Sequence, residues 1–435
     1  MPLIVRAYDR WVLPLKLSRI HYGWIVVATA FLAGLVAAGA RSSPVVYIVP
    51  LEREFGWSRG AIGAAVAVNL LLFGLAAPIS GRLIDRFGPR VVMLCSLSLL
   101  AVGVAATVLV RELWQLSLLW GPVIGLGAGG GASVMAAAVS SRWFVARRGL
   151  IVGILGTSSS TGQMIFIPAL GLLVASFGWR SASLAMAAIV LAVLALAFRR
   201  MRNEPAELGV QPYGAGTAAA AAETQQEGIS IGVSQALRTP EFWLLAGTFF
   251  VCGGTANGLV GTHFIPHSID HGISPETAAA TYGVMGMLNF VGTLMSGWLT
   301  DRFDARRILA AVYILRGMSL FVLPSVTDFG FSGLFIFAVI YGLDWFATVP
   351  PTVALATRRF GRKSLGTIYG LIFFAHQIGA ASMAFGGGQV RDFVGDYRFA
   401  FLAGGILAIF GAGMASLVRP REQAPALAVA PAGAA

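Results

Sequence analysis

A few side chains stand out because they sit inside long apolar runs: Arg41, Tyr47, Asn257, His263, Asn289, Arg316, Asp344, His376 and Gln377. An ionisable group in such a run is costly to bury and is a functional candidate by default. Arg41 is a permanent cation that can hold a carboxylate by charge-assisted hydrogen bonds. His376 titrates in the physiological range, and Asp344 could exchange protons if unpaired, so the two form a candidate proton relay. If Asp344 instead pairs with Arg316, it stays ionised and the pair is structural. His263 also has two readings, a ligand group or a hydrogen-bonded packing residue. This chemistry is binding and proton transfer. No nucleophile, base and orienter constellation occurs, and Cys95 and Cys252 lack metal or redox spacing and are expected to be buried packing residues. Neither enzyme activity, nor a cofactor, nor a resident metal is expected.

The elements that position these residues follow from composition. Hydrophobic residues make up 57% of the 435, charged residues 11%, and the mean hydropathy is +0.78. A soluble domain carries about 25% charge. Twelve apolar stretches stand at roughly 23–49, 60–81, 89–110, 113–140, 148–176, 181–198, 241–268, 276–299, 307–325, 331–357, 365–389 and 398–418. Each is near or above the ~20 residues a spanning helix needs. The chain therefore reads as an all-α, multi-pass membrane protein. At ~1.5 Å per residue, Arg41 lies ~28 Å along the first helix from Tyr22, and Arg316 and Asp344 lie near mid-membrane.

The chain is also two tandem copies of one unit. Gly81-Arg-Leu-Ile-Asp-Arg-Phe-Gly-Pro-Arg90 recurs as Gly297-Trp-Leu-Thr-Asp-Arg-Phe-Asp-Ala-Arg306, an offset of 216, and Pro50/Pro266, Gly56/Gly272 and Ser58/Ser274 keep the same offset. Gly162/Gly379 and Gly178/Gly395 keep 217. Copies running in the same direction predict parallel repeats about an axis along the membrane normal, with a site between them. The repeat makes Asn257 the mate of Arg41 and His263 the mate of Tyr47, so these four are expected to converge at one depth.

The decamer resembles the G-x-L-x-D-R-x-G-x-R signature of the major facilitator superfamily; the second copy departs from it where Asp304 replaces the later Gly. The resemblance covers nearly the whole chain. It implies twelve transmembrane helices in two pseudo-symmetric six-helix bundles, residues 1–200 and 241–420, joined by a cytoplasmic linker, 201–240, and followed by a disordered tail, 421–435. It further implies that Gly81, Asp85, Arg86 and Arg90, with Gly297, Asp301, Arg302 and Arg306, latch the cytoplasmic side. Helices 1, 4, 7 and 10 would surround the cavity.

Tyr22-Gly23-Trp24, a basic residue followed by Ser in helix 1, and Arg142-Trp143-Phe144 with Arg147-Arg148-Gly149-Leu150 are similar to the monocarboxylate transporters and the oxalate/formate antiporter group. That likeness assigns anion or proton handling to Arg41. Two departures matter. Asn289 and Thr293 stand where animal monocarboxylate transporters carry an Asp and an Arg, and His376 stands where the oxalate/formate group has a Lys. A simple anion clamp therefore does not carry over.

The net charge of +12 is a matter of topology rather than a nucleic-acid footprint. With the N-terminus inside, most Arg and Lys fall on the cytoplasmic side, and only Arg53, Arg59, Arg111, Arg180, Arg391 and Arg398 fall outside, which places both termini in the cytoplasm. The linker is expected to be mobile around 211–228, His267 and His271 to be solvated at the outer end of helix 7, and Thr239-Pro240-Glu241 to start that helix.

The function expected is secondary transport of a small organic anion, a monocarboxylate, with a proton as possible co-substrate, by a monomer in the plasma membrane. Export of drugs or hydrophobic metabolites remains an alternative, although the G-x-x-x-G-P-x-x-G-G pattern is absent from 149–162. Import of a neutral metabolite or vitamin is another.

Overall fold

The computed structural model describes residues 21–129, 133–145, 147–215, 231–361 and 365–419. The N-terminal basic segment, the tail and most of the linker stretch expected to be mobile lie outside the described residues. Among the described residues, eleven helical stretches are long and apolar enough to span a membrane, and one of them, Leu150–Arg200, is two helices joined at Gly178, where φ is 79°. The order is α1 (Tyr22–Phe55), α2 (59–87), α3 (89–107), α4 (Leu113–Trp143), α5 (148–177), α6 (179–200), α7 (Pro240–Asp270), α8 (Pro275–Arg302), α9 (Ala305–Val326), α10 (Gly330–Phe360), α11 (Leu365–Val394) and α12 (Arg398–Leu417). This is the twelve-helix, two-bundle membrane fold expected.

The repeat is explained by turns and caps. Ser58 and Ser274 are the N-caps of α2 and α8, each accepting from the amide three residues on, Ala61 and Thr277. Gly178 and Gly395 both adopt positive φ, a region that costs glycine nothing. The one departure between the decamers has a local cause. The first copy turns through left-handed Gly88 (φ 82°), whereas in the second Asp304 has φ −64° and caps α9 by accepting from the Arg306 amide. Thr239 caps α7 with Pro240 at its first turn.

In a membrane, packing and hydrogen bonds must do what apolar burial does in water. Helix α1 lies on α5 and α7 on α11 in matching ways: a Cβ on Gly162 would collide with the Leu35 carbonyl, and one on its mate Gly379 with the Phe250 carbonyl. The halves meet along α2 with α11 and α5 with α8. The linker end of the bundle carries the decamers. There Tyr213 exchanges backbone bonds with Trp143 and Val145 (both 2.9 Å), so the described part of the linker, through residue 215, is docked rather than loose.

Among the described residues, four helices are irregular within the membrane. Pro44 breaks α1 just after Arg41 and cannot bond the Ala40 carbonyl, which instead accepts from Ser43 Oγ (2.9 Å). Helix α4 has a π-helical turn over Leu119–Gly125 and α7 one over Gly254–Val260. Helix α10 breaks between Asp344 and Val349 ahead of Pro350 and Pro351. Non-helical backbone at membrane depth is tolerated only where protein buries it or it lines a cavity.

Candidate functional site

The irregular turns of α1 and α7 face each other across a cavity of about 30 Å³ between the two halves, room for a water or a small polar group. Its polar lining is Arg41 and Ser42 from α1, Asn69 from α2, Gln163 from α5, Asn257 and Thr262 from α7, and Tyr282 from α8. Val45, Val66 and Leu70 supply apolar wall. The Arg41 guanidinium stacks over the Phe73 ring, 4.7 Å from its centroid, and makes no ion pair or hydrogen bond among the described residues. A cation–π contact of ~0.5–2 kcal/mol does not replace a counter-ion.

Arg41 and its repeat mate Asn257 therefore share the cavity, but Tyr47 and His263 do not. Each lies six residues further along its helix, and six residues at ~100° each turn a side chain about 120° away from the face that Arg41 and Asn257 occupy. Tyr47 is buried between Trp120 and Trp179, with ring centroids 6.4 Å from each. His263 is buried, its Nε2 2.9 Å from the Ala384 carbonyl and its ring 5.0 Å from Tyr397. The four-residue convergence is thus corrected to two.

Asn289 also lies away from the lining. It donates to Ser160 Oγ of α5 (3.2 Å) and accepts from the Phe346 amide (3.0 Å), which the α10 break has freed. His376 is buried and stacked on Phe373 (5.6 Å, 10° between planes), and Phe373 meets Phe73 across the halves at 6.2 Å. An aromatic path thus links Arg41 to His376. Among the described residues, neither His376 Nδ1 nor either amide atom of the fully buried Gln377 has a partner.

Asp344 is not a free carboxyl. Arg316 Nε donates to its Oδ2 (2.6 Å), and both side chains are fully buried. The same guanidinium donates to the carbonyls of Asp344 (3.0 Å) and Trp345 (2.7 Å) and to Cys252 Sγ (3.2 Å). Ser296 Oγ serves the Ala347 carbonyl (2.5 Å), the acceptor that Pro351 cannot use. The charge pair holds the α10 break together.

Sequence comparison agrees with this architecture. The family model for the Major Facilitator Superfamily matches residues 30–384. The chain belongs to that superfamily. It is 28% identical over 399 residues to human monocarboxylate transporter 11, covering 90% of this chain and 81% of that one. It is 24% identical over 386 residues to an uncharacterized MFS-type transporter, YcxA, of Bacillus subtilis, covering 86% and 90% respectively. Among solved structures, a D-xylose-proton symporter superposes with a TM-score of 0.73 at 14% identity, over 92% of this chain and 98% of that one. These relatives are transporters rather than enzymes, and the chain is a multi-pass membrane transporter.

The decamer residues expected to latch the cytoplasmic side make contacts within their own halves among the described residues. Among the described residues Asp85 and Asp301 are exposed and form no ion pair. Arg90 holds Asn203 Oδ1 through its amide (3.0 Å) and the Phe198 carbonyl through Nη2 (2.9 Å), Arg86 lies over Phe87 and Arg302 over Trp298. Arg306 pairs with Asp304 (2.6 Å), which holds that carboxyl below its usual range. Gly81 and Gly297 face Val134 and Pro350 within their own halves. The charged decamer groups described here make no link between the halves.

The opposite end is sealed by a residue that reads in the sequence only as an outside positive charge. Arg59, 3% exposed, donates to Glu52 (2.8 Å) in its own half and to both carboxylate oxygens of Asp270 (2.6 and 2.7 Å) across the interface, while the amides of Arg59 and Gly60 bond Asp392 (3.1 and 2.7 Å). By repeat Asp270 is the mate of Glu54, yet Glu54 pairs with Arg180 inside the first half (2.6 Å). Repetition therefore could not identify this cross-link. Arg59→Gln, on a Cys95→Ser background, should raise labelling of Ala384→Cys by an impermeant maleimide several-fold. Unchanged labelling would mean that Arg59 does not hold this end shut.

Sequence reasoning also missed Tyr282 and Asn69. Both are polar side chains inside apolar spans, the same signal that marked Arg41. Of the two cysteines, Cys252 is buried as expected; Cys95 is exposed on the surface of α3, so its apolar setting is the surroundings rather than the core.

Proposed function

We propose that the chain carries a small organic anion, a monocarboxylate, together with a proton across the plasma membrane by alternating access. The observation that carries this reading is Arg41: an unpaired cation facing a small cavity between the halves, ringed by neutral hydrogen-bonding groups. One carboxylate would neutralise it, with Asn257, Gln163 and Tyr282 within the same lining. The human relative is named a monocarboxylate transporter, which is consistent with that choice.

In this reading the sealed Arg59 end faces outside and the linker end faces the cytoplasm, in keeping with the distribution of basic residues. The six-helix halves rock as units about the cavity, and a monomer suffices. Tyr47, His263 and Asn289 support the moving helices. His376 is the favoured proton carrier, since its buried Nδ1 has no partner among the described residues; the Phe73 and Phe373 rings between it and Arg41 carry no proton and couple the two only by packing. Asp344 acts through Arg316, and Gln377 offers its free amide at the α2–α11 contact.

Uptake of radiolabelled lactate and pyruvate into proteoliposomes tests the proposal. Saturable uptake several-fold faster with an inward proton gradient is expected. No uptake under either condition would overturn the monocarboxylate reading, and uptake indifferent to the gradient would remove the proton.

A further inference from the structure

Three potential metal ligands meet at the Arg59 end of α7, away from the cavity. His267 and His271 lie four residues apart on one helix face, with ring centroids 4.2 Å apart, and Asp396 comes from the turn between α11 and α12. One donor atom of each lies within 4.8 Å of the other two. The expectation that both histidines are solvated fails for His267, which is fully buried.

The nitrogen inventory points to a ligand. His267 bonds Thr327 Oγ1 through Nε2 (3.2 Å), and its buried Nδ1 has no partner among the described residues. His271 uses Nδ1 on the His267 carbonyl (2.9 Å), leaving Nε2 free. Such bonds from the second ring nitrogen orient metal-binding imidazoles and select the tautomer. Asp396 makes only a capping bond from the Arg398 amide (3.2 Å) among the described residues. The nearby guanidiniums of Arg59 and Arg391 are directed at Asp270, at 2.6 and 2.9 Å, not at Asp396.

We propose that His267, His271 and Asp396 bind one borderline divalent transition-metal ion, with Zn²⁺ the best fit. Two imidazoles and a carboxylate suit Zn²⁺, leaving a fourth position for water, whereas Mg²⁺ and Ca²⁺ need about six or more oxygens. Donors at ~2.0–2.1 Å around a tetrahedral ion stand about 3.4 Å apart. Closing the observed triad, whose donor atoms lie within 4.8 Å of one another, onto an ion therefore needs side-chain displacements of at most about 1.4 Å. His271 and Asp396 are half-exposed, which gives the ion an entry path. Bound there, it would tie the end of α7 to the α11–α12 turn beside Tyr397, which Arg59 Nη1 contacts at 3.3 Å.

The test is calorimetric titration of purified, tag-free, full-length protein with Zn²⁺, and with Mg²⁺ as control. One Zn²⁺ site per chain and no Mg²⁺ site are expected. His271→Ala and Asp396→Asn, at half-exposed positions, should each weaken Zn²⁺ by at least the ~10–100-fold typical of losing an outer-shell partner, with the metal-free melting temperature little changed. Absence of stoichiometric Zn²⁺ binding, or binding indifferent to both substitutions, overturns the site.

Discussion

Arg41→Ala is expected to insert and fold normally and to take up no substrate. Truncating one member of a desolvated, hydrogen-bonded charge pair costs ~2–5 kcal/mol, about 30-fold to several thousand-fold in affinity. Uptake should therefore fall to that of empty liposomes at concentrations that saturate the parent. Stability should hardly change, because Arg41 has no counter-ion among the described residues and gives up only its contact with Phe73. Arg41→Lys keeps the charge but loses the bidentate fork, so partial uptake at a raised KM is expected. The measurement is uptake per inserted molecule with the melting temperature alongside; full uptake by the alanine variant would remove Arg41 from the site.

Arg316→Leu should show the reverse signature, a loss of folded protein. Removing one partner of a buried ion pair costs ~3–5 kcal/mol, because the remaining charge is left uncompensated. Here the loss extends further, since the carbonyls of Asp344 and Trp345 at the α10 break also lose their donor. Little monodisperse protein should survive extraction in detergent. The double variant Arg316→Leu/Asp344→Leu should recover part of it by removing the orphaned carboxylate. A monodisperse Arg316→Leu protein that melts like the parent but fails in transport would instead make the pair part of the transport machinery. The two arginines thus separate by what faces them: one a carboxylate, the other a cavity.

Much of the architecture was legible because it depends on local properties of the chain. Spans follow from apolar length, and the repeat follows from glycines and caps whose backbone geometry recurs, as with Ser58/Ser274 and Gly178/Gly395. Even the departure at Asp304 reads locally, as a cap in place of a left-handed turn. The candidate site was legible only in part. A polar residue in an apolar run is visible to any scan, which is how Arg41 and Asn257 were found. Rotation about the helix axis is not visible, and a π-helical turn such as Gly254–Val260 shifts the face on which later residues fall. His263 accordingly points at Ala384 rather than at Arg41.

The sequence by itself determined the membrane class, the twelve spans, the twofold repeat and the candidate cation of helix 1. Only the tertiary structure decided that Asp344 belongs to Arg316, that Tyr282 and Asn69 join Arg41 at the cavity, and that Arg59 reaches Asp270 across the halves. The physical reason is that burial and hydropathy are summed along the chain, whereas a charge is satisfied by whichever group the packing of distant helices brings within ~3 Å of it.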